Sequence, residues 1–450
     1  MIEAVYTFSN VTLTSEDGDL SVVVFLPAGL KPEEDTFYYS SRFDHGSMIG
    51  SIRRTVRSVN SKGEKESKTH VLFEADMWRV PHNPYWPESG LGLASEFGAG
   101  DDGAFCFYRC GWSGANDVTN GVLGYGEAKN GESFLKIGVG ELIKGSCPQC
   151  DSTDDYRFNS PYQFAKPPDW RILEMTDHSI SLEHDAFINN HGYRLTKDVN
   201  LANHVLNVTS TLTNLGKTQF STAWYSHNFF TCDHNAVGPG YSMDMDLKGD
   251  AFPLYDEPGT WSWSTPLAEY ATVTSDPTSC QVQMKRTLHP GVRIKTEFIN
   301  DGSTAGGFTI QACDMKIESS IPEIQTPSDS LSMYAYNLYI ERATFSPEPQ
   351  LLIHLTPGES TSWTQQLVIT NQDEEPEESE SPSVESQGWL SFSLRSMTAN
   401  GNSDGMGSHL MVVGTAAVFV AAMTAVTLLR TVSRRRRRYR QYNIVPDLTA

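Results

Sequence analysis

Several things are missing from this 450-residue chain. Residues 1–10 have neither a basic start nor an apolar core, so no cleavable signal peptide is expected. Residues 1–370 show no amphipathic pattern of three helical turns and no internal repeat. Gly138-Val-Gly140 lacks the third glycine and following helix of a dinucleotide fingerprint. Basic residues are scarce, 34 against 55 acidic. Residues 430–450 hold seven Arg against one Asp, a net +6, so the preceding chain carries −27 of the total −21. An anionic body of that size repels phosphate backbones, and no nucleic acid is expected as a partner. The seven cysteines are an odd number in a long chain, which forces no disulfide framework. Cys147-Pro-Gln-Cys150 has no second pair at zinc-ribbon spacing, so a loop disulfide or idle thiols is the expectation and no metal site is assigned.

Aromatic residues, glycine and proline are plentiful, as many short strands joined by turns require. Leu20–Leu30 reads as a strand ending in a turn at Pro27, 60–70 as a charged surface loop, and Val71–Val80 as the next strand. Phe134–Gly140 reads as a strand closing on glycines. From Tyr156 to Phe230 the pattern is of consecutive antiparallel strands, with a turn at Asn214-Leu-Gly216. Further strands are expected at 279–287, 291–299, 307–317, 334–342, 350–356 and Thr361–Ile369. Strands at this spacing imply an all-β fold, a large antiparallel sandwich or barrel.

Beyond residue 370 the composition changes. Residues 371–408 are acidic, rich in Ser, Glu and Pro, and read as a disordered stalk. Leu410–Leu429 is an uncharged apolar run long enough, at about 1.5 Å per residue, to span a ~30 Å bilayer core. It reads as a single transmembrane helix, followed by an Arg-rich tail at 430–450. The tail favours a cytosolic C-terminus, with the domain at 1–370 outside or in a lumen. Sequons at Asn10-Val-Thr12 and Asn207-Val-Thr209 fit that side. The missing signal peptide fits the opposite, tail-anchored orientation with a cytosolic body.

The stretch Thr222–Phe230 (Thr-Ala-Trp-Tyr-Ser-His-Asn-Phe-Phe) places one titratable ring, His227, in an aromatic strand. Imidazole exchanges protons near neutral pH, and aromatic faces such as Trp224 and Tyr225 stack on the C–H faces of sugars. Arg42, set among aromatics, is a candidate clamp for a hydroxyl or anion. His82 and Glu96 lie in or beside a Pro- and Gly-rich stretch of the type that carries binding residues. On spacing alone, Glu348 reads as a surface carboxylate in a turn, its backbone restricted by Pro347 and Pro349.

Five blocks in order resemble the aldose 1-epimerase-related proteins of the galactose-mutarotase-like superfamily. They are Tyr38-Tyr-Ser-Ser-Arg-Phe-Asp-His-Gly-Ser-Met48, Phe134–Gly140, Thr211–Gly216 with Tyr225–Phe230, Ala343-Thr-Phe-Ser-Pro-Glu348, and Leu355-Thr-Pro-Gly-Glu359. The resemblance covers roughly 20–370. It implies an antiparallel β-supersandwich with a sugar site on a concave face, His227 as catalytic acid, Glu348 as catalytic base, and no cofactor. The expected ligand is a carbohydrate. In this scheme acid and base stand on opposite edges of the sugar while the hemiacetal opens and recloses. Arg42, Glu96, His82, Trp224 and Tyr225 are candidate substrate contacts. The family's second histidine is followed by glycine, whereas His82 is followed by Asn83. That departure keeps open a non-catalytic, membrane-tethered lectin-like protein, and a polysaccharide-processing enzyme on the same scaffold.

Overall fold

The computed structural model describes residues 9–26, 37–38, 46–74, 93–98, 118–119, 121–146, 156, 161–245, 254–255, 265–275, 279–299, 307–325 and 328–372. The chain divides into two units, Met1–Ser379 and Glu380–Ala450. Arg42, His82, Cys147, Cys150, the apolar run Leu410–Leu429 and the Arg-rich tail lie outside the described residues, as does the stalk beyond Gln372. Among the described residues no helix is long and apolar enough to cross a membrane.

The described part of the first unit is built almost wholly of antiparallel β-sheet. An eleven-stranded sheet runs Ser9–Thr14, Leu20–Leu26, Ile49–Val59, Leu93–Phe97, Phe220–Asn228, Thr344–Leu355, Leu331–Glu341, Ile294–Ile299 and Leu254–Tyr255, with Lys65–Glu74 and Val118–Thr119 attached off this path. A ten-stranded sheet faces it, with Val205–Asn214, Ser360–Asn371 and Met315–Ser320 at its centre. A five-stranded sheet includes Ser133–Lys136, Gly140–Ile143 and Tyr162–Lys166.

Period-two alternation explains how the two large sheets meet. In Ser360–Asn371 the residues Thr361, Trp363, Gln365, Leu367 and Ile369 are buried while their neighbours are more exposed. Side chains of successive strand residues point to opposite faces, so one face of each strand supplies the core. Trp363 joins the sheets directly: its ring lies 5.2 Å from Trp224 and 6.1 Å from Phe97, both of the facing sheet. Edge-on aromatic contacts of this kind add to the area they bury.

One local expectation needs correction. The charged stretch 60–70 is a loop only as far as Glu64, because Lys65–Glu74 is a strand paired with Ile49–Val59 from Val59↔Lys65 onward. Its polar side chains are exposed at the outer end of a long hairpin, where alternation with a buried face is absent. The seven cysteines do include a bridge within this unit, Cys232–Cys313, with Cα atoms 6.2 Å apart. Spacing could not reveal it, since 81 residues separate the partners. The glycines of 138–140 form a turn, with Gly138 at φ +78° and Gly140 at φ +113°. A Cβ on Gly140 would stand 2.7 Å from the Lys166 carbonyl oxygen, so the neighbouring strand requires glycine there.

Candidate active site

Two prolines create the site by opening a strand ladder. Phe220–Asn228 pairs with Thr344–Leu355 from Phe220↔Leu355 to Tyr225↔Gln350. The ladder then stops, and one bridge, Phe230↔Phe345, resumes it in unchanged register. The residues skipped on one strand are Ser346, Pro347, Glu348 and Pro349. Neither proline has an N–H to give, so rungs are missing there. Side chains close the gap instead: Asn228 Nδ2 donates to the Pro347 carbonyl at 2.6 Å.

Unchanged register across the break sets His227 opposite Glu348. His227 Nε2 stands 2.9 Å from Glu348 Oε1, and its Nδ1 stands 2.8 Å from Ser346 Oγ. When the ring is protonated both nitrogens donate, one to the carboxylate and one to the hydroxyl. Glu348 is therefore no surface carboxylate in a turn. Its side chain is 5% exposed, within a strand whose residues are nearly all buried. Burial alone would raise its carboxyl. The charge and hydrogen bond of His227, with Lys295 and Asn337, more than offset that and hold it below its ordinary value.

Aromatic rings frame this pair. Phe229 stacks on His227 with centroids 3.6 Å apart and planes 9° apart, while Tyr339 presents its edge at 5.6 Å. Tyr339 lies opposite Ser346 and Asn337 opposite Glu348 on the adjacent strand Leu331–Glu341, so both share the face of the pair. The Tyr339 hydroxyl donates to Glu341, which also receives Arg293 Nε at 2.8 Å. Burial raises the Glu341 carboxyl above its ordinary value, against the opposing pull of Tyr339, Arg293 and His227. The Oδ1 of buried Asn337 has no hydrogen-bond partner among the described residues.

The structure brings His227, Glu348 and Tyr225 to one face. Glu96 is on that face too, but buried between two donors: the Tyr225 hydroxyl at 3.1 Å from Oε2 and Lys136 Nζ at 3.1 Å from Oε1. Trp224 points the opposite way, into the core between the sheets, as alternation requires of a neighbour of Tyr225. Sequence reasoning missed Ser346, Asn337, Tyr339, Arg293, Glu341 and Lys136. The signal for Ser346 was its place two residues before Glu348. The signal for Lys136 was a lone cation in an apolar strand.

No family model matches the chain, and no curated protein matches it. Among solved structures, the chain is similar to a putative aldose 1-epimerase from Escherichia coli K12, at 14% identity and TM-score 0.41, over 81% of this chain and 100% of that one. It is also similar to a galactose mutarotase-like protein from Lactobacillus casei, at 12% identity and TM-score 0.42, over 80% and 100%. An aldose epimerase homologue from C. elegans is similar at 10% identity and TM-score 0.38, over 81% and 99%.

Proposed function

We propose that the first unit binds a free aldose and interconverts its anomers by acid–base opening of the hemiacetal. The observation carrying this reading is the His227–Glu348 pair, a proton donor and an acceptor 2.9 Å apart beside the stacked ring of Phe229. The residue blocks that resemble aldose 1-epimerase-related proteins point to the same two side chains.

Their contact changes the chemistry expected from sequence. Acid and base do not need to face each other across the sugar ring. The anomeric hydroxyl and the ring oxygen are bonded to the same carbon, C1, so one adjacent donor–acceptor pair reaches both. Glu348 takes the proton of the anomeric hydroxyl, and His227 Nε2 gives its proton to the ring oxygen. The bond from C1 to the ring oxygen breaks as the carbonyl forms. Rotation about C1–C2 presents the other face, and closure returns both protons, restoring the pair. Ser346 orients the ring through Nδ1. The depressed Glu348 carboxyl is a carboxylate at neutral pH, ready to accept. Neither metal nor nucleotide enters these steps.

The same ion pair supports a second reading, sugar binding without turnover, because a donor and acceptor already satisfied by each other are slower to exchange protons. NMR exchange between anomers over a panel of aldoses, paired with calorimetric binding, separates the two. Catalysis predicts anomer exchange that His227→Ala and Glu348→Gln each reduce by about 10²–10⁴-fold. Unchanged rates in both variants overturn it. Binding without exchange by the unaltered protein establishes the lectin-like reading.

We further propose that Leu410–Leu429 anchors the chain in a membrane with the sheet domain on the extracellular or luminal side. The Arg-rich tail and the Cys232–Cys313 bridge support this orientation, since disulfides persist in oxidising compartments. Protease protection of the domain in sealed microsomes tests it. Digestion of the domain without detergent overturns it.

A further inference from the structure

Two tight turns, one beginning five residues beyond His227 in the chain, are tied together by the Cys232–Cys313 disulfide. In one, Asp233 and His234 both have positive φ, 53° and 58°, and Asn235 N bonds back to the Cys232 carbonyl at 2.8 Å. In the other, Cys313 and Asp314 have φ of 52° and 65° at the tip of the hairpin joining Phe308–Ala312 to Met315–Ser320. Paired positive φ values are the signature of type I′ turns, whose backbones are sharply defined.

The first turn packs against the end of the strand Lys65–Glu74. Thr231 N donates to the Leu72 carbonyl at 2.8 Å, and Asp233 N to the Val71 carbonyl at 2.9 Å. This short ladder brings His70, Cys232 and Asp233 together, with one ligand-type atom of each within 4.8 Å of the others. His70 Nδ1 lies 3.0 Å from Asp233 Oδ2, and Val71 N fixes the other carboxylate oxygen at 2.9 Å. His70 and Cys232 are buried, and Asp233 is 27% exposed and provides the opening to solvent. His234, next in sequence, is held elsewhere by Glu74 at 2.7 Å.

We infer that His70, Cys232 and Asp233 form a divalent-metal site that the Cys232–Cys313 disulfide closes and its reduction opens. A sulfur in a disulfide has no thiolate to offer a cation. A dithiol supplies two electrons and two protons, leaving two cysteine thiols and becoming a disulfide itself. The metal then displaces the proton of the Cys232 thiol. The proton on His70 Nδ1, now shared with Asp233, passes to Nε2 so that Nδ1 ligates. Thiolate, imidazole and carboxylate with water in a fourth position is a zinc-type donor set. The Val71 N–H would hold the ligating carboxylate, as outer partners do in metal sites. The metal-bound form is the state of the chain before the disulfide closes or after a dithiol opens it. Oxidation and metal binding therefore exclude each other at one cysteine.

The test uses the full-length chain and Co²⁺ as a spectroscopic substitute for Zn²⁺. Cys313→Ser frees Cys232 without reductant, so this variant should bind one equivalent more Co²⁺ than Cys232→Ser/Cys313→Ser, with a thiolate-to-cobalt charge-transfer band. The other five cysteines are common to both variants and cancel in the difference. His70→Asn placed on Cys313→Ser should lose that equivalent. If Cys313→Ser does not fold, the unaltered chain with and without dithiothreitol replaces it, and His70→Asn should abolish a dithiothreitol-dependent equivalent. Equal cobalt stoichiometry with Cys232 free or absent overturns the proposal. So does binding indifferent to His70.

Discussion

Two buried carboxylates share one face of the eleven-stranded sheet, and the difference between their partners separates scaffold from chemistry. Glu96 is paired with Lys136, whose side chain is fully buried, and with the hydroxyl of Tyr225. Glu348 is paired with His227, whose side chain is 13% exposed. The geometry is nearly equal, 3.1 Å against 2.9 Å. An ammonium whose ordinary value is about 10.4 gives up its proton reluctantly near neutrality, although burial pulls Lys136 down against the opposing pull of Glu96. An imidazole exchanges its proton there readily. One pair locks the five-stranded sheet to the large one, and the other is the pair that the proposed function uses to move a proton.

The sharpest way to break this contrast is to exchange consequences. His227→Ala and Glu348→Gln should each lower anomer exchange by about 10²–10⁴-fold while leaving a folded protein. Glu96→Gln should keep exchange within about tenfold of the unaltered rate and lower stability instead. Losing exchange to the Glu96 variant in a folded state would erase the distinction.

Next in size is the effect on folding. Removing one member of a buried ion pair strands the other, at a cost of roughly 3–5 kcal/mol. Lys136→Met alone should therefore shift the urea midpoint far more than Lys136→Met combined with Glu96→Gln. A double variant as unstable as the sum of the singles would show that the two residues do not act as a pair.

Acid unfolding sharpens the comparison further. The Glu348 carboxyl is depressed in the folded protein relative to its ordinary value of 4.5. It therefore contributes stability that is full above that value and lost as pH falls through the folded one. Glu348→Gln lacks this contribution, so its stability should fall less steeply than that of the unaltered protein below pH about 4.5. Parallel curves would mean that the pair does not hold Glu348 ionised.

The smallest expected effect is that of Tyr225→Phe. It removes the hydroxyl that donates to Glu96, about 1 kcal/mol, but keeps the ring near His227. Stability should drop slightly, and sugar affinity by calorimetry should be almost unchanged. A large loss of affinity would make the hydroxyl, and not the ring, the ligand contact.

Much of the architecture could be read from the chain. Alternation in Val205–Asn214 and Ser360–Asn371 identifies strands because each buries one face, and the turn at Asn214–Gly216 follows from its residue types. The strand at 65–70 could not be read, since exposed polar side chains carry no burial period. His227 was legible as a titratable ring among aromatics. Its neighbour Ser346 was not, because only cross-strand register brings the two together.

By itself the sequence determined an all-β domain of antiparallel strands, an anionic body, and a titratable histidine in an aromatic strand. Those follow from local pattern and charge, whereas Glu348 entered as a proton acceptor only through the family resemblance. The tertiary structure alone decided that Glu348 is buried in a strand, that it touches His227, that Glu96 is held by Lys136, and that Cys232 meets Cys313. Each depends on register between segments distant in the chain. That register is set by burial across whole sheets, and it runs unchanged past the two prolines that withhold their hydrogen bonds beside the pair.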